Sequence, residues 1–207
     1  MKEKYGDLHW WPADTVDQII IGSILTQNTA WKNVEVAIKN LSVANKDNLH
    51  AISEMEIDQL REYIRPAGFF NQKSGYLKEI CIAIEKAGGI GKVGEFNDQE
   101  LEKFLISIKG VGRETMQDIM LYAFRRKVFV VDKYTERIFS RIGIIEKGMK
   151  NAFELGKEIE KGMKIEDLNN FHGEIVEICK NICQTNPKCN QCFLKNDCNY
   201  AKDFTDP

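Results

Sequence analysis

The stretch LISIKGVGRETMQDIML, residues 105–121, decides how this chain is read. Its apolar residues recur at helical spacing, yet Gly110 and Gly112 stand at its centre, where each would cost a continuous helix roughly 1 kcal/mol relative to alanine. The simplest reading is two helices and a turn: one helix ends near Ile106, the glycines redirect the chain, and a second helix runs from Arg113 or Glu114 through Ala123. A glycine after a helix is also an ordinary cap that needs no ligand. Here both flanks are helical, and a Gly110-Val111-Gly112 turn lets backbone N–H groups point outward at the start of the second helix, an arrangement suited to an anionic group such as phosphate. Lys109 and Arg113 would add charge-assisted contacts. This is the helix-hairpin-helix pattern, which grips a DNA backbone without reading bases; a plain αα-hairpin is the alternative.

Outward from the hairpin the chain keeps the same three-to-four spacing. It recurs in Val16, Ile19, Ile20, Ile24 and Leu25, in Val34, Ile38 and Leu41, in Leu77, Ile80 and Ile84, and in Leu101, Phe104 and Leu105. Pro12, Arg65-Pro66-Ala67-Gly68 and Gly88-Gly89-Ile90-Gly91 punctuate it. Val128–Val131 is the one strand-like run, too short and isolated for a sheet. The pattern predicts an all-α protein of roughly ten short helices, ending in a cysteine-rich loop from Cys183. At 207 residues and 43% hydrophobic, the chain can bury a real core as one large domain or two small ones. It contains no apolar run of membrane-spanning length, and its first residues lack the apolar region of a signal peptide, so a cytoplasmic protein is expected.

The net charge is −2, but charge is not evenly spread. From Lys103 to Lys147 ten basic residues face five acidic ones, a local excess suited either to a polyanion or to a solvated helix face. Within that region lies VFVVDKYTERIF, residues 128–139, where Asp132 ends an apolar run and opens a helical pattern. Asp is a good helix N-cap, and capping is the bland explanation. Placed after a phosphate-binding hairpin, an ionised carboxylate could instead stabilise an oxocarbenium ion on deoxyribose and orient a water.

The segments IKGVGRETMQDIMLYAF and VVDKYTERIF, with GSILTQNTAWKNV upstream and FHGEIVEICK downstream, make nearly the whole chain resemble the helix-hairpin-helix DNA glycosylase superfamily typified by endonuclease III. The resemblance implies two helical lobes with a cleft between them: 20–125 as a helical barrel lobe with the hairpin, and 1–19 plus 126–207 as a second lobe carrying the catalytic Asp and an iron–sulfur loop. It makes Asp132 the catalytic carboxylate and Gly110 to Arg113 the hairpin, and it puts Gln27 on a loop that probes the lesion gap. Members that also cut the strand carry a lysine nucleophile as the second residue after the Gly-x-Gly. This chain has Glu114 there. A carboxylate cannot form an imine, so a monofunctional glycosylase is expected; Lys133, beside Asp132, is the residue most able to overturn that.

Six cysteines are present. Cys81 falls in an apolar helical pattern and reads as core. Cys183, Cys189, Cys192 and Cys198 are separated by five, two and five residues, and four thiols in so short a span can converge on one metal centre. Zinc usually takes two Cys-x-x-Cys knuckles and only one is present, so an iron–sulfur cluster suits the set better. The arrangement looks like the 4Fe-4S loop of endonuclease III, whose first gap is usually six. Cys183 is the expected first ligand and Cys179 the alternative. Lys188 and Lys195 would lie on that loop against DNA.

All three tryptophans lie near the N-terminus: Trp10 and Trp11 before Pro12, and Trp31 after the LTQNT turn. Packing is the usual fate of tryptophan, but aromatic faces also sandwich a flipped base, and an N-alkylated purine carries a positive charge that a π face attracts. HWWP, LTQNTAW, RPAGFFNQKSGYL, KGVGRE, VVDKYT and FHGEIVE together are similar to the 3-methyladenine DNA glycosylase III branch of the superfamily. That resemblance implies a base pocket of Trp10, Trp11, Pro12, Trp31 and Lys180, with Trp31 standing where the branch commonly has Phe. The best-known form of the branch lacks the cluster loop, so the four cysteines are a departure. His172 in FHGEIVE reads as a structural hydrogen-bond donor. Three functions follow: a glycosylase for alkylated purines, an endonuclease III-like glycosylase for oxidised or mismatched pyrimidines with AP lyase activity, and a non-catalytic DNA-binding iron–sulfur protein. The expected partner of a monomeric protein is double-stranded DNA containing a damaged base, with no membrane.

Overall fold

The computed structural model describes residues 1–8 and 10–203, without the side chain of Lys2. His9 of the HWWP segment and residues 204–207 lie outside that range. The described chain is all-α. It contains α1 (Lys2–Tyr5), α2 (Val16–Leu25), α3 (Trp31–Val43), α4 (Leu49–Glu54), α5 (Ile57–Ile64), α6 (Phe70–Lys86), α7 (Gly89–Gly94), α8 (Asp98–Ser107), α9 (Arg113–Asp118), α10 (Lys133–Ile142), α11 (Met149–Gly162), α12 (Ile165–Asn181) and α13 (Asn199–Asp203). It divides into two compact units, Pro12–Arg126 and Met1–Trp11 with the chain from Lys127 onward. Residues 12–19 fall in the first unit because α2 starts at Val16, capped by the Thr15 side chain on Gln18 N–H. No described helix is long and apolar enough to cross a membrane.

In the Pro12–Arg126 unit, α2 is a central helix. Ile20, Ile21, Ile24 and Leu25 are wholly buried, as a helix packed on most sides requires. Val34, Ala37, Leu41, Leu60, Ile64, Leu77, Ile80, Cys81 and Ile84 complete its surroundings. Burial pushes the Cys81 thiol pKa up, which fits its reading as a core residue. The polar ends are closed internally: the buried Lys73 ammonium donates to Leu25 O at 2.7 Å and Ala67 O at 2.8 Å, and burial lowers its pKa to about 8. α8 opens with a capping box, Asn97 with Glu100.

The helix after the hairpin differs from its expected form. α9 is regular only to Asp118, and Ile119–Ala123 form a π-helical turn with Phe124 N–H on Ile119 O at 3.1 Å. From Thr115 through Ala123 every residue is buried, so packing holds the wider turn in place.

In the other unit, residues 128–131 are buried but form neither helix nor strand. They deliver the chain to α10, which packs with α11 and α12. Phe171 of α12 stacks on Phe129 at 5.7 Å and meets Phe139 edge-on at 6.3 Å. The N-terminal segment is tied to the same helix by Asn170, which accepts from Leu8 N–H at 2.7 Å and donates to Gly6 O at 2.8 Å.

Candidate active site

Asp132 caps α10, and the cap uses one of its oxygens. Oδ1 accepts the Thr135 backbone N–H at 2.7 Å and the Thr135 hydroxyl at 2.9 Å. Oδ2 lies 3.7 Å from Nε2 of His172 on α12, and both residues are buried. At that separation the two form an ion pair when the imidazole is protonated. Burial alone would raise the carboxyl pKa, but His172 and the two Thr135 bonds outweigh it and hold the group below the ordinary carboxylate value. The capping reading and the catalytic reading thus concern different oxygens of one side chain.

The residue after His172 makes room for an aromatic. A Cβ on Gly173 would lie 2.6 Å from Cγ of Trp10, so only glycine admits the indole at this point of α12. Two turns further along, Lys180 places Nζ 5.2 Å from the centre of the Trp10 ring. Of the five expected pocket residues, Trp10 and Lys180 meet. Trp11 is half-buried in the same unit, while Pro12, exposed, and Trp31, the half-buried first residue of α3, belong to the other.

The hairpin is built wholly within the Pro12–Arg126 unit. Val111 N–H closes the turn on Ile108 O at 3.0 Å, and Gly110 sits at φ +92, where a Cβ would also fall 2.2 Å from the Tyr76 ring. Gly112 has an ordinary negative φ of −86 and open space where a Cβ would go. Val111 is buried as the anchor, while Lys109, Gly112, Arg113 and Glu114 are exposed at the tip. Gln27 is turned to this turn rather than to solvent: its Nε2 donates to Gly110 O at 2.9 Å and to Thr115 Oγ1 at 3.0 Å.

The four late cysteines are half-buried free thiols that feel one another electrostatically. Cys179 is buried at the end of α12, where its thiol donates to Tyr134 O at 3.6 Å, and its proximity together with the Arg141 guanidinium holds the Cys183 thiol below its ordinary pKa against burial. The neighbouring Cys183 and burial push Cys179 up. The sulfurs are gathered but not closed: among the described residues no three Cys, His, Asp or Glu side chains stand where they could hold a metal ion.

A family model described as "HhH-GPD superfamily base excision DNA repair protein" matches residues 21–164. The chain belongs to that superfamily. It is 42% identical to a Methanocaldococcus jannaschii protein named "Putative DNA repair glycosylase MJ1434", over 94% of this chain and 90% of the other. It is 31% identical to endonuclease III of Thermotoga maritima, over 89% and 83%. A crystal structure of H. pylori 3-methyladenine DNA glycosylase (MagIII) bound to 1,N6-ethenoadenine superimposes with a TM-score of 0.72 at 28% identity, covering 84% of this chain and 90% of that one. A non-covalent endonuclease III–DNA complex superimposes with a TM-score of 0.79 at 20% identity, over 98% and 92%, and shows the shared fold. As a superfamily member the chain is a base-excision DNA glycosylase, and the non-catalytic reading is set aside.

Sequence reasoning passed over two parts of this site. His172 was read as a structural donor, although its pairing with Asp132 spans forty residues and leaves no local signal. Arg141, whose contacts to the cysteine loop are described below, looked like one basic residue among ten. The available hint was its place one turn after Arg137, on the helix that Asp132 opens.

Proposed function

We propose that this glycosylase is monofunctional and hydrolyses the N-glycosidic bond of alkylated purines such as 3-methyladenine in double-stranded DNA. The observation that carries the reading is the Asp132 site: a buried carboxylate, kept ionised, with one oxygen spent on Thr135 and the other beside His172, next to an indole that already attracts a cation. An N-alkylated purine is positively charged and leaves as a neutral base, so no general acid is needed. The developing oxocarbenium ion at C1′ is stabilised by Asp132, and water attacks that carbon as its proton passes to the carboxylate. His172 keeps the carboxylate oriented and ionised. Trp10 and Lys180 would receive the flipped base, while Lys109, Gly110, Val111, Gly112 and Arg113 take a backbone phosphate.

Glu114 stands at the exposed tip where strand-cutting relatives carry their lysine, and it supplies no imine. Cys183, Cys189, Cys192 and Cys198, four free thiols within one short stretch of chain, would hold a 4Fe-4S cluster, which takes four thiolate donors. When bound, the cluster ties the C-terminal loop together; no step of base release passes through it. A second reading, release of oxidised or mismatched pyrimidines with AP lyase activity, is favoured by the 31% identity to endonuclease III and by the exposed Lys133 beside Asp132.

Base release from duplexes holding 3-methyladenine, thymine glycol or mismatched uracil separates the two. Fastest release of 3-methyladenine is expected. Faster release of thymine glycol or mismatched uracil would install the second reading.

A further inference from the structure

Arg141, in the last turn of α10, touches both ends of the cysteine quartet. Its Nη1 donates to the Cys183 sulfur at 3.3 Å and to the carbonyls of Cys183 at 3.4 Å and Gln184 at 2.6 Å, while Nη2 donates to Thr185 O at 3.2 Å. Its own backbone carbonyl accepts the thiol of Cys198 at 3.3 Å. The guanidinium also lies 4.7 Å from the Tyr200 ring centre on α13, at the far end of the loop. Arg137, one turn earlier, adds one bond, to Cys183 O at 3.4 Å. No residue from 182 to 203 is buried, so apolar packing does little to shape this segment.

We propose that Arg141 is the positioning residue of the iron–sulfur loop: its side chain sets Cys183 and its carbonyl sets Cys198, so that first and last ligands are placed before iron arrives. The inference rests on the reading of the quartet as a cluster site. It has a second consequence. An N–H that stays on the Cys183 sulfur stabilises the more negative, reduced cluster, and therefore raises its reduction potential. A planar fork of donors is what such multiple bonding requires; lysine keeps the charge but cannot hold four acceptors at once.

The test is anaerobic reconstitution of the full chain with iron and sulfide, for wild type, Arg141→Lys and Arg141→Met, with thermal melts of each apo protein run alongside. Iron content, the rate of cluster loss to a chelator and the midpoint potential are read. Arg141→Met is expected to lose its cluster about tenfold faster than wild type or more, with a lower potential, and Arg141→Lys to fall between. Should Arg141→Met melt too low to handle, Arg141→Lys against wild type shows the same ordering. Equal loss rates and potentials in wild type and variants would overturn the role of Arg141 while leaving the cluster in place. A wild-type chain that takes up no iron would overturn the cluster reading, and this inference with it.

Discussion

The hairpin and the cysteine loop are both short and irregular, and they are held in opposite ways. Around the hairpin, Val111, Thr115, Met116 and Ile119 are buried, Gly110 is pressed against Tyr76, and Gln27 bonds to the turn from α2's end. The cysteine loop has no buried residue and is held from outside by Arg137 and Arg141. A turn fixed by apolar contacts and one strained backbone position is specified by its own sequence. A loop fixed by polar contacts depends on its partners and on any ligand that ties its thiols. The Asp132 site lies between these extremes: Thr135 makes a local cap, and His172 comes from a distant helix.

The largest effect is expected at that intermediate site. Asp132→Asn keeps an acceptor for Thr135 and removes the charge, so base release should fall about a thousandfold while affinity for a lesion duplex is retained. A matching loss of affinity and rate would make Asp132 a binding residue. Next comes the strained turn. Gly110→Ala should cost about 3 kcal/mol in denaturant unfolding, from the forced φ and the clash with Tyr76; a shift below about 0.5 kcal/mol would mean the turn is not specified as argued.

His172 probes the coupling between the two helices through pH. Because the folded pKa of Asp132 is depressed, its ionised form stabilises the protein above the unfolded pKa, and that contribution disappears as pH falls through the folded value. Removing His172 lets the carboxyl pKa rise, so the acid limb of base release in His172→Gln should move to higher pH. An unmoved limb would leave His172 with packing alone. The smallest effect belongs to Gln27→Ala, which deletes two bonds to the hairpin and should cost about 1 kcal/mol. No change in stability would show that Gln27 does not brace the turn.

The same contrast explains what could be read from the sequence. The hairpin was legible because its signals are local: apolar spacing up to Leu105, two glycines, then apolar spacing again. The π turn at Ile119–Ala123 was not, since the residues that line it are the ones an α-helix would carry there. Asp132 was legible as a helix cap. Its partner was not, because pairing between α10 and α12 depends on the packing of Phe129, Phe139 and Phe171 rather than on any motif. The cysteine spacing drew notice to the C-terminal loop, whereas the arginine that holds the loop carried no signal beyond its charge.

Borohydride trapping on an alkylated duplex tests the central claim, hydrolysis without a covalent intermediate, most directly. Wild-type protein is mixed with a 3-methyladenine duplex in the presence of the reductant, and the reaction is resolved for protein–DNA adducts and for strand breaks before and after alkali. The expected result is free base, no trapped adduct, and breaks only after alkali. A trapped adduct, with breaks before alkali, would mean that a lysine such as Lys133 forms an imine with the sugar, and it would contradict the account.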